Sequence, residues 1–535
     1  LKVFLTNPPL NMAETPLQYH RPLAPMGLAY LGAALEDRAT GGAWSRHVAD
    51  VALGGEARRY IPSGAVAAQD NMFLSFYGHY SYDLLRRNIE AFAGESQELL
   101  IGLSVLSDGM HAARDMLRRL RLDFPFAQLV VGGPHPTAFP RDFYMSNESR
   151  EGALADYVVQ NEGELALAAI AEGLLATEEL LRRNGPPLGI DPTLCDYGDD
   201  LKIIDGGQYG AGLPASQKHV LDALPPPAYF LFEDDKGDWP YEPDYRYGLE
   251  APAANINSSR GCPHKCTFCT IPVLVPGYRT LSPARMVELV SYLTHRYRVK
   301  SVFFREDNFM FEGRTPQEGR WPDVEEFCTL AKAAAPGLKW AIEARADNLL
   351  DPTGNGRTRL EVLKDAGLSG IYIGVESGSD AMLKLYVKGS TVQAMSEAIH
   401  ACQAQGIAVV ATACYGDPDI FLRRSYPLID LQDNDYIYAT LVQRERILQE
   451  TRAFMDAHSI PADRREEYAL AGIPVSAAYR LLSREQTQFP GLVEHQDPVS
   501  RYIYPKGFRW WSSAVYDLKR RVRPYVSYTY MSADE

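Results

Sequence analysis

The chain is short of long apolar runs, of cysteine and of positive charge, and each shortage removes a class of protein. No stretch of the 535 residues approaches the roughly 18 consecutive apolar residues that a membrane-spanning helix needs, so no membrane association is expected. The opening Leu1-Lys2-Val3-Phe4-Leu5 gives out at Asn7-Pro8-Pro9, too short for the apolar core of a secretion signal. The seven cysteines are Cys195, Cys262, Cys266, Cys269, Cys328, Cys402 and Cys414. Odd in number and scattered, they suggest no disulfide framework, which fits a reducing, cytoplasmic location. Lys and Arg total 54 against 68 Asp and Glu, a net charge of −14. Binding to phosphate backbones needs a basic surface, so nucleic acid is not expected as the partner. What is present is ordinary for a globular chain: 46% hydrophobic and 23% charged residues. The length exceeds what a single core fills, so roughly two to four domains are expected.

The N-terminal third alternates strands with helices. Lys2–Thr6 reads as a buried strand stopped by the prolines, and Pro25–Leu35 as a helix with Pro at its start. Leu100–Val105 reads as a second strand, followed by Ser107-Asp108-Gly109 and an amphipathic helix over His111–Leu122. Leu129–Val131 ends at Gly132-Gly133-Pro134-His135-Pro136, and Asp156–Val159 at Asn161-Glu162-Gly163-Glu164 before an Ala/Leu-rich helix. This alternation predicts an α/β fold, a Rossmann-like (flavodoxin-type) parallel sheet with helices on both faces. Ligands of such sheets sit at the carboxyl ends of the strands, where the glycines fall. Residues 181–250 carry Gly185-Pro186-Pro187 and Leu224-Pro225-Pro226-Pro227 with little periodicity, and read as a linker or wrap. Trp239 to Tyr247 reads as surface packing, with a cover over an active-site mouth as the alternative.

Three cysteines fall in one short stretch, Ser259-Arg260-Gly261-Cys262-Pro263-His264-Lys265-Cys266-Thr267-Phe268-Cys269. Turn formers bracket them, so several thiolates can converge on one metal centre. Two readings stand open. A structural zinc closes its tetrahedron with a fourth Cys or His, and His264 lies awkwardly close to Cys262 for that. A four-iron cluster takes thiolates on its irons, and three of them leave one iron open to an outside ligand.

The spacing Cys-x3-Cys-x-aromatic-Cys resembles the signature of the radical S-adenosylmethionine (SAM) enzymes. That resemblance implies a [4Fe-4S] cluster on Cys262, Cys266 and Cys269 whose open iron chelates SAM, and a 5′-deoxyadenosyl radical made by reductive cleavage of SAM. It also implies an external electron donor such as flavodoxin or ferredoxin. A strand–helix rhythm follows the motif. Helices are expected at Ser282–Tyr297, Val324–Ala334, Leu360–Ala366 and Val392–Gln405, and strands at about Ala253–Asn257, then Lys300–Phe304, Lys339–Ala344, Gly370–Gly374 and Ile407–Cys414. This is similar to the partial (β/α)6 barrel of that family over 251–430, with polar clusters at the strand ends where parallel barrels collect their chemistry. By resemblance Phe268 meets the adenine, Glu306 and Asp307 the amino group of SAM, Arg345 its carboxylate, and Gly374 and Glu376 the adenine and ribose. Each acidic residue alone is more simply a salt-bridge partner; their register with one cysteine loop makes the case. Cys328 and Cys402 read as core, and Cys414 as a minor functional candidate. The methylthiotransferase branch, which needs further cluster cysteines upstream, has only Cys195 to offer.

Residues 1–180 resemble the cobalamin-binding domain that precedes the radical module in one large subfamily, and Phe76-Tyr77-Gly78 with Ser81-Tyr82-Asp83 resembles a segment recurring there. The resemblance places Ser104, Ser107 and Asp108 beneath the corrin. Gly132, Gly133, Pro134 and His135 would make room for the nucleotide tail, with Glu162 and Gly163 nearby. An Asp-x-His-x-x-Gly motif is absent, so no histidine is expected below cobalt. The plainer alternative is a flavodoxin-like domain without a ligand.

The last hundred residues lose the pattern. Arg444–Ala457 and Arg464–Leu482 read as helices and Tyr502-Ile503-Tyr504, Trp510-Trp511 and Tyr525 to Tyr530 as an aromatic tail. A mainly helical, substrate-facing or capping domain is expected over 431–535. The sequence as a whole is read as a monomeric, cobalamin-dependent radical SAM methyltransferase acting through methylcobalamin on a carbon of a small-molecule or natural-product substrate. The alternatives are a non-methylating ring rearrangement or oxidative cyclisation, a corrinoid or iron–sulfur sensor without chemistry, and a zinc-stabilised nucleic-acid module.

Overall fold

Short aliphatic runs, each leading into an amphipathic segment, give two separate six-stranded sheets. The computed structural model describes residues 1–8, 26–56, 72–75, 82–106, 110–143, 153–171, 202–205, 219–234, 236–275, 277–309, 322–353, 356–415, 446–469 and four short strands beyond. The chain divides into a first unit (Leu1–Met12, Pro22–Tyr241, Ser291–Arg298) and a second (Ala13–Arg21, Glu242–Val290, Val299–Glu535).

The first unit's sheet runs in the order β2-β1-β3-β4-β5-β6 and every pairing is parallel. Its strands are β1 (Lys2–Thr6), β2 (Met72–Ser75), β3 (Leu99–Ser104), β4 (Gln128–Gly132), β5 (Tyr157–Gln160) and β6 (Lys202–Asp205). Helices α1 (Met26–Ala39), α2 (Ala43–Ala52), α3 (Tyr82–Ala93), α4 (Met110–Asp123), α5 (Pro134–Ala138) and α6 (Glu164–Ala171) connect them. Strand alternation decides the packing. Val3, Leu5, Leu100, Val130 and Val159 pack with Leu28 and Leu35 of α1 and Ala166, Leu167 and Ile170 of α6, whereas Phe4 meets Phe92 of α3, ring centres 6.0 Å apart. A parallel sheet covered on both faces needs such uninterrupted apolar strands.

Two expectations change here. The sheet runs past residue 180: β6 lies in the stretch read as a linker, its Ile203-Ile204 pairing with Val158 and Val159. Trp239 and Tyr241 are buried, not surface, in an aromatic cluster with Tyr229 and Tyr297 of the same unit. Its polar centre is Glu233, which accepts from Arg296 at 2.9 Å and from the Tyr297 hydroxyl at 2.7 Å.

The second unit's sheet follows the order β14-β13-β12-β11-β10-β7, again wholly parallel. It is formed by β7 (Ala253–Ile256), β10 (Ser301–Phe304), β11 (Lys339–Ala344), β12 (Leu368–Glu376), β13 (Ala408–Tyr415) and β14 (Arg465–Ala469), with the two-residue β8 (Ser259–Arg260) and β9 (Arg279–Thr280) forming a ribbon of their own. Helices α7 (Ile271–Leu274), α8 (Pro283–Tyr297, whose residues from Ser291 on belong to the first unit), α9 (Pro322–Ala334), α10 (Arg359–Asp365), α11 (Asp380–Leu385) and α12 (Val392–Ala404) intervene, and a further helix covers 446–457. Tyr247, buried, packs with Phe303, Ala341 and Val410 on one sheet face. Of the helix expected over Arg464–Leu482, Arg465–Ala469 is a strand instead, and 470–482 lie outside the described residues; the described residues further on lie in strands. Arg465–Ala469 completes the sheet, and two antiparallel pairs follow, Leu492–Glu494 with Ile503–Pro505 and Phe508–Trp510 with Tyr530–Ser532. Isoleucine, tyrosine, phenylalanine and tryptophan at those positions favour a pleated surface. Arg465-Glu466-Glu467 has helical propensity, but tertiary ion pairs to Arg246 and Arg452 hold it extended.

Candidate active site

The cysteine loop is drawn in at its neck. Ser259–Arg260 pairs antiparallel with Arg279–Thr280, so the loop leaves and returns on adjacent strands. Ser258 strengthens the closure by accepting from the Leu281 N–H at 2.7 Å and from Thr280 Oγ1 at 3.1 Å. Gly261 sits at φ +83°, where a β-carbon would meet the Gly277 carbonyl oxygen at 1.9 Å. Only glycine lets the two arms cross so closely. Inside the loop the Cys269 N–H donates to Cys266 O at 3.1 Å, and the Thr267 N–H to Tyr386 O at 2.9 Å, which ties the loop to the end of α11. The Phe268 ring lies edge-on to Tyr386, 5.6 Å between centres.

Cys262, Cys266 and Cys269 are half-buried free thiols. Burial pushes the Cys262 thiol up and that of Cys269 up to about 12, against small opposing hydrogen bonds from the backbone. Such thiols are neutral until a metal binds, and coordination then deprotonates them. His264 is pushed down to about 4, first by burial and then by the Arg345 cation, so its imidazole is neutral near pH 7. Among the described residues no three His, Cys, Asp or Glu side chains converge tightly enough to hold a single ion. A cluster asks for something else, one thiolate on each of several irons around a body. Three free thiols on one loop, with Arg345 Nη1 4.0 Å from Cys266 Sγ, fit that demand in number and chemistry.

The carboxyl ends of the strands supply the rest. Arg345, directly after β11, is buried; it pairs with Asp347 at 3.0 Å and donates to the Lys388 carbonyl. Lys388, also buried, sets its Nζ 3.0 Å from Glu376 Oε1, and Thr412 donates to Glu376 Oε2 at 3.1 Å. Glu376 stands at φ +61°, a backbone state uncommon for a side-chain-bearing residue, where the β12–β13 register shifts. Gly374 leaves the space this pair needs: a β-carbon there would fall 2.5 Å from Lys388 Nζ and 2.7 Å from Glu376 Oε1. After β10, Glu306 accepts from the Ser258 N–H at 3.0 Å, from the Ser258 hydroxyl, and from Ser259 Oγ at 2.5 Å. Burial raises its carboxyl to about 7 despite those bonds. Asp307 is exposed and accepts from the Gly261 N–H. Glu343 is likewise raised to about 7 by burial, with Arg305 at 3.0 Å pulling it back.

Sequence reasoning thus names Arg345, Gly374 and Glu376 but misses Lys388 and Thr412, which complete their network. No local signal marked Lys388: it follows a helix that also carries the exposed Lys384 and comes directly after the exposed Val387. Cys328, Cys402 and Cys414 are buried; the carbonyl of Cys414 accepts from Tyr386 OH at 3.1 Å.

In the first unit the strand order reverses direction between β1 and β3, the switch point at which doubly wound sheets hold ligands. Ser104 ends β3 opposite Gly132 of β4; Ser107 and Asp108 lie outside the described residues. Gly133 and Pro134 open α5. The His135 ring is fully buried with Nε2 3.1 Å from Asp142 Oδ2. Thr137, which the sequence reading passed over, binds the Gly133 carbonyl at 2.8 Å and receives the Asn161 N–H at 2.9 Å, joining the ends of β4 and β5 beside Glu162 and Gly163.

Comparison with known proteins matches this geometry. Residues 256–421 fit the radical SAM superfamily, and the chain therefore carries a radical SAM domain, which implies a [4Fe-4S] cluster and SAM. An uncharacterized methyltransferase, PH0819 of Pyrococcus horikoshii, is 24% identical over 373 residues, 70% of this chain and 69% of that one. The anaerobic magnesium-protoporphyrin IX monomethyl ester cyclase of Cereibacter sphaeroides is 23% identical over 57% of this chain and 44% of its own length. Among solved structures, OxsB, a cobalamin-dependent SAM radical enzyme with aqua-cobalamin and SAM bound, superposes with a TM-score of 0.58 at 18% identity, covering 94% of this chain and 64% of OxsB. The chain therefore spans less than two thirds of OxsB and under half of the cyclase. Among the described residues no helix is long and apolar enough to cross a membrane.

Proposed function

We propose that this chain is a cobalamin-dependent radical SAM methyltransferase that moves a methyl group from SAM, by way of cobalamin, to a carbon of a small-molecule or natural-product substrate. The observation that carries the reading is the cysteine loop, three free thiols beside a buried cation at the carboxyl end of a parallel sheet. The flavodoxin-type strand order of the first unit, the likeness to OxsB and the name of PH0819 support the cobalamin and methyl parts. When bound, the cluster with SAM supplies a 5′-deoxyadenosyl radical and cobalamin supplies a methyl carrier.

The chain's own residues hold and orient. Cys262, Cys266 and Cys269 hold the irons. The Arg345 fork would match SAM's carboxylate, Asp307 would offer a carboxylate to its ammonium group, Phe268 would flank the adenine, and Gly374 and Glu376 would stand by the adenine and ribose. In the first unit, Ser104 would stand toward the corrin, and Gly132, Gly133, Pro134, His135, Glu162 and Gly163 toward its nucleotide tail; Ser107 and Asp108, which the resemblance sets beside Ser104, lie outside the described residues. The first unit would thus carry cobalamin and the second the radical chemistry, and the stretch beyond β14 is assigned to the substrate. Electrons come from an outside donor such as flavodoxin or ferredoxin.

The test is anaerobic reconstitution with iron, sulfide and hydroxocobalamin, followed by metal and corrinoid counting. Four irons and one cobalamin per chain are expected; iron without cobalamin would remove the methyl carrier, and zinc without iron would remove the whole reading. The likeness to the cyclase favours a second reading, a non-methylating ring closure. S-adenosylhomocysteine formed in step with a methylated product separates the two.

A further inference from the structure

We propose that Glu306 is a positioning residue that locks the neck of the cysteine loop, and that it does not itself touch SAM. The proposal rests on the reading that this loop carries the cluster. Both carboxylate oxygens are committed within the chain: Oε1 to the Ser258 N–H and hydroxyl, Oε2 to the Ser259 hydroxyl. An ionised carboxylate offers about four lone-pair sites, and three here have donors. The residue is only 6% exposed, so a ligand ammonium group would have to displace those bonds inside the protein.

What Glu306 holds explains why it is held so firmly. Ser258 and Ser259 are the last residues before the loop, and both carry bonds to its returning arm, Ser258 through its carbonyl to Thr280 and Leu281, Ser259 through the β8–β9 ribbon. The residues after Glu306 grip the same loop. Asp307 accepts from the Gly261 N–H, and the Asn308 carbonyl accepts from Tyr278 OH at 3.1 Å. The segment 306–308 therefore meets the outgoing arm at 258, 259 and 261 and the returning arm at 278. Cysteines spaced along a turn hold a rigid cluster only if the ends of the turn are fixed, and this segment fixes them. Exposed Asp307 is left as the carboxylate that can face a cation.

The charge of Glu306 separates the two roles. Glu306→Gln keeps an acceptor oxygen for Ser258 and an amide that can meet the Ser259 hydroxyl, but it has no charge for an ammonium group; Glu306→Ala keeps neither. Three quantities are measured on the full chain: hydrogen exchange of the loop peptides before cluster loading, the rate of iron loss to a chelator, and the SAM dissociation constant at matched iron content. In Glu306→Ala, exchange at 258–262 and 278–281 should rise, iron loss should quicken about tenfold, and the reduced cluster's EPR signal should broaden. Glu306→Gln should restore all three, with SAM affinity within about twofold of wild type. Ser258→Ala/Ser259→Ala should reproduce the Ala phenotype, and it keeps the test open if Glu306→Ala fails to fold. Equal loss of SAM affinity in Gln and Ala at full iron, with unchanged loop exchange, would overturn the proposal. If no cluster loads even in wild type, the exchange measurement still decides the clamp while the proposed function falls separately.

Discussion

Lys388 and Glu376 show how much of this site hangs on single side chains. Each is buried, and each is the other's countercharge at 3.0 Å. Removing one partner of such a pair leaves a bare charge inside the protein and costs roughly 3–5 kcal/mol. Lys388→Met is therefore expected to lower the unfolding free energy from urea titration by that order, and the double variant with Glu376→Gln to recover much of it; an unchanged value in the single variant would mean the pair is solvated. Glu306 gives a pH prediction. Its folded-state carboxyl is raised to about 7 by burial, so the folded state binds the proton more tightly than the unfolded chain. That stability is fully present below the ordinary carboxylate range and is lost as pH rises toward about 7, at up to roughly 1.4 kcal/mol per pH unit. The stability difference between wild type and Glu306→Gln should shift in Gln's favour across that interval, read from thermal midpoints at successive pH values. The Gln side chain has no proton to lose.

At the scale of elements, the loop depends on its crossing. Gly261→Ala places a methyl where the Gly277 carbonyl stands, so the arms must part. Both sheets should survive, seen as unchanged far-ultraviolet circular dichroism, while bound iron falls well below wild type. Normal iron content would show that the crossing is dispensable. Away from the site, α10 begins with a reciprocal cap in which Thr358 Oγ1 accepts from the Glu361 N–H and Glu361 accepts from the Thr358 N–H at 2.7 Å. Thr358→Ala should cost about 1 kcal/mol and leave iron binding intact, a control for the loop variants. The elements most legible in the sequence are those whose apolar period matches their burial, such as β3, β4, β11 and α4. Arg465–Ala469 was illegible because its polar residues favour a helix in isolation, and it becomes a strand by pairing with β13, with Arg246, Arg452 and the Tyr372 hydroxyl holding its carboxylates.

For the whole molecule, the net charge of −14 works against binding of polyanions. The chain should pass through immobilised double-stranded DNA at low salt and be retained by an anion exchanger; salt-sensitive retention on DNA would contradict that. The sequence by itself determined the alternating α/β character, the cysteine spacing that selects a metal centre, and the glycines and acidic residues at strand ends. These follow from local properties: period, turn chemistry and the reach of neighbouring side chains. It did not determine which of the marked groups are free to act. The sequence does not show that the His135 ring meets Asp142 or that the Glu306 carboxylate meets Ser258 and Ser259. Lys388 and Thr412 carry no motif, yet the fold brings them to Glu376 from 12 and 36 residues away. Only the tertiary structure decides this, because partners distant in sequence are chosen by which strand ends lie side by side.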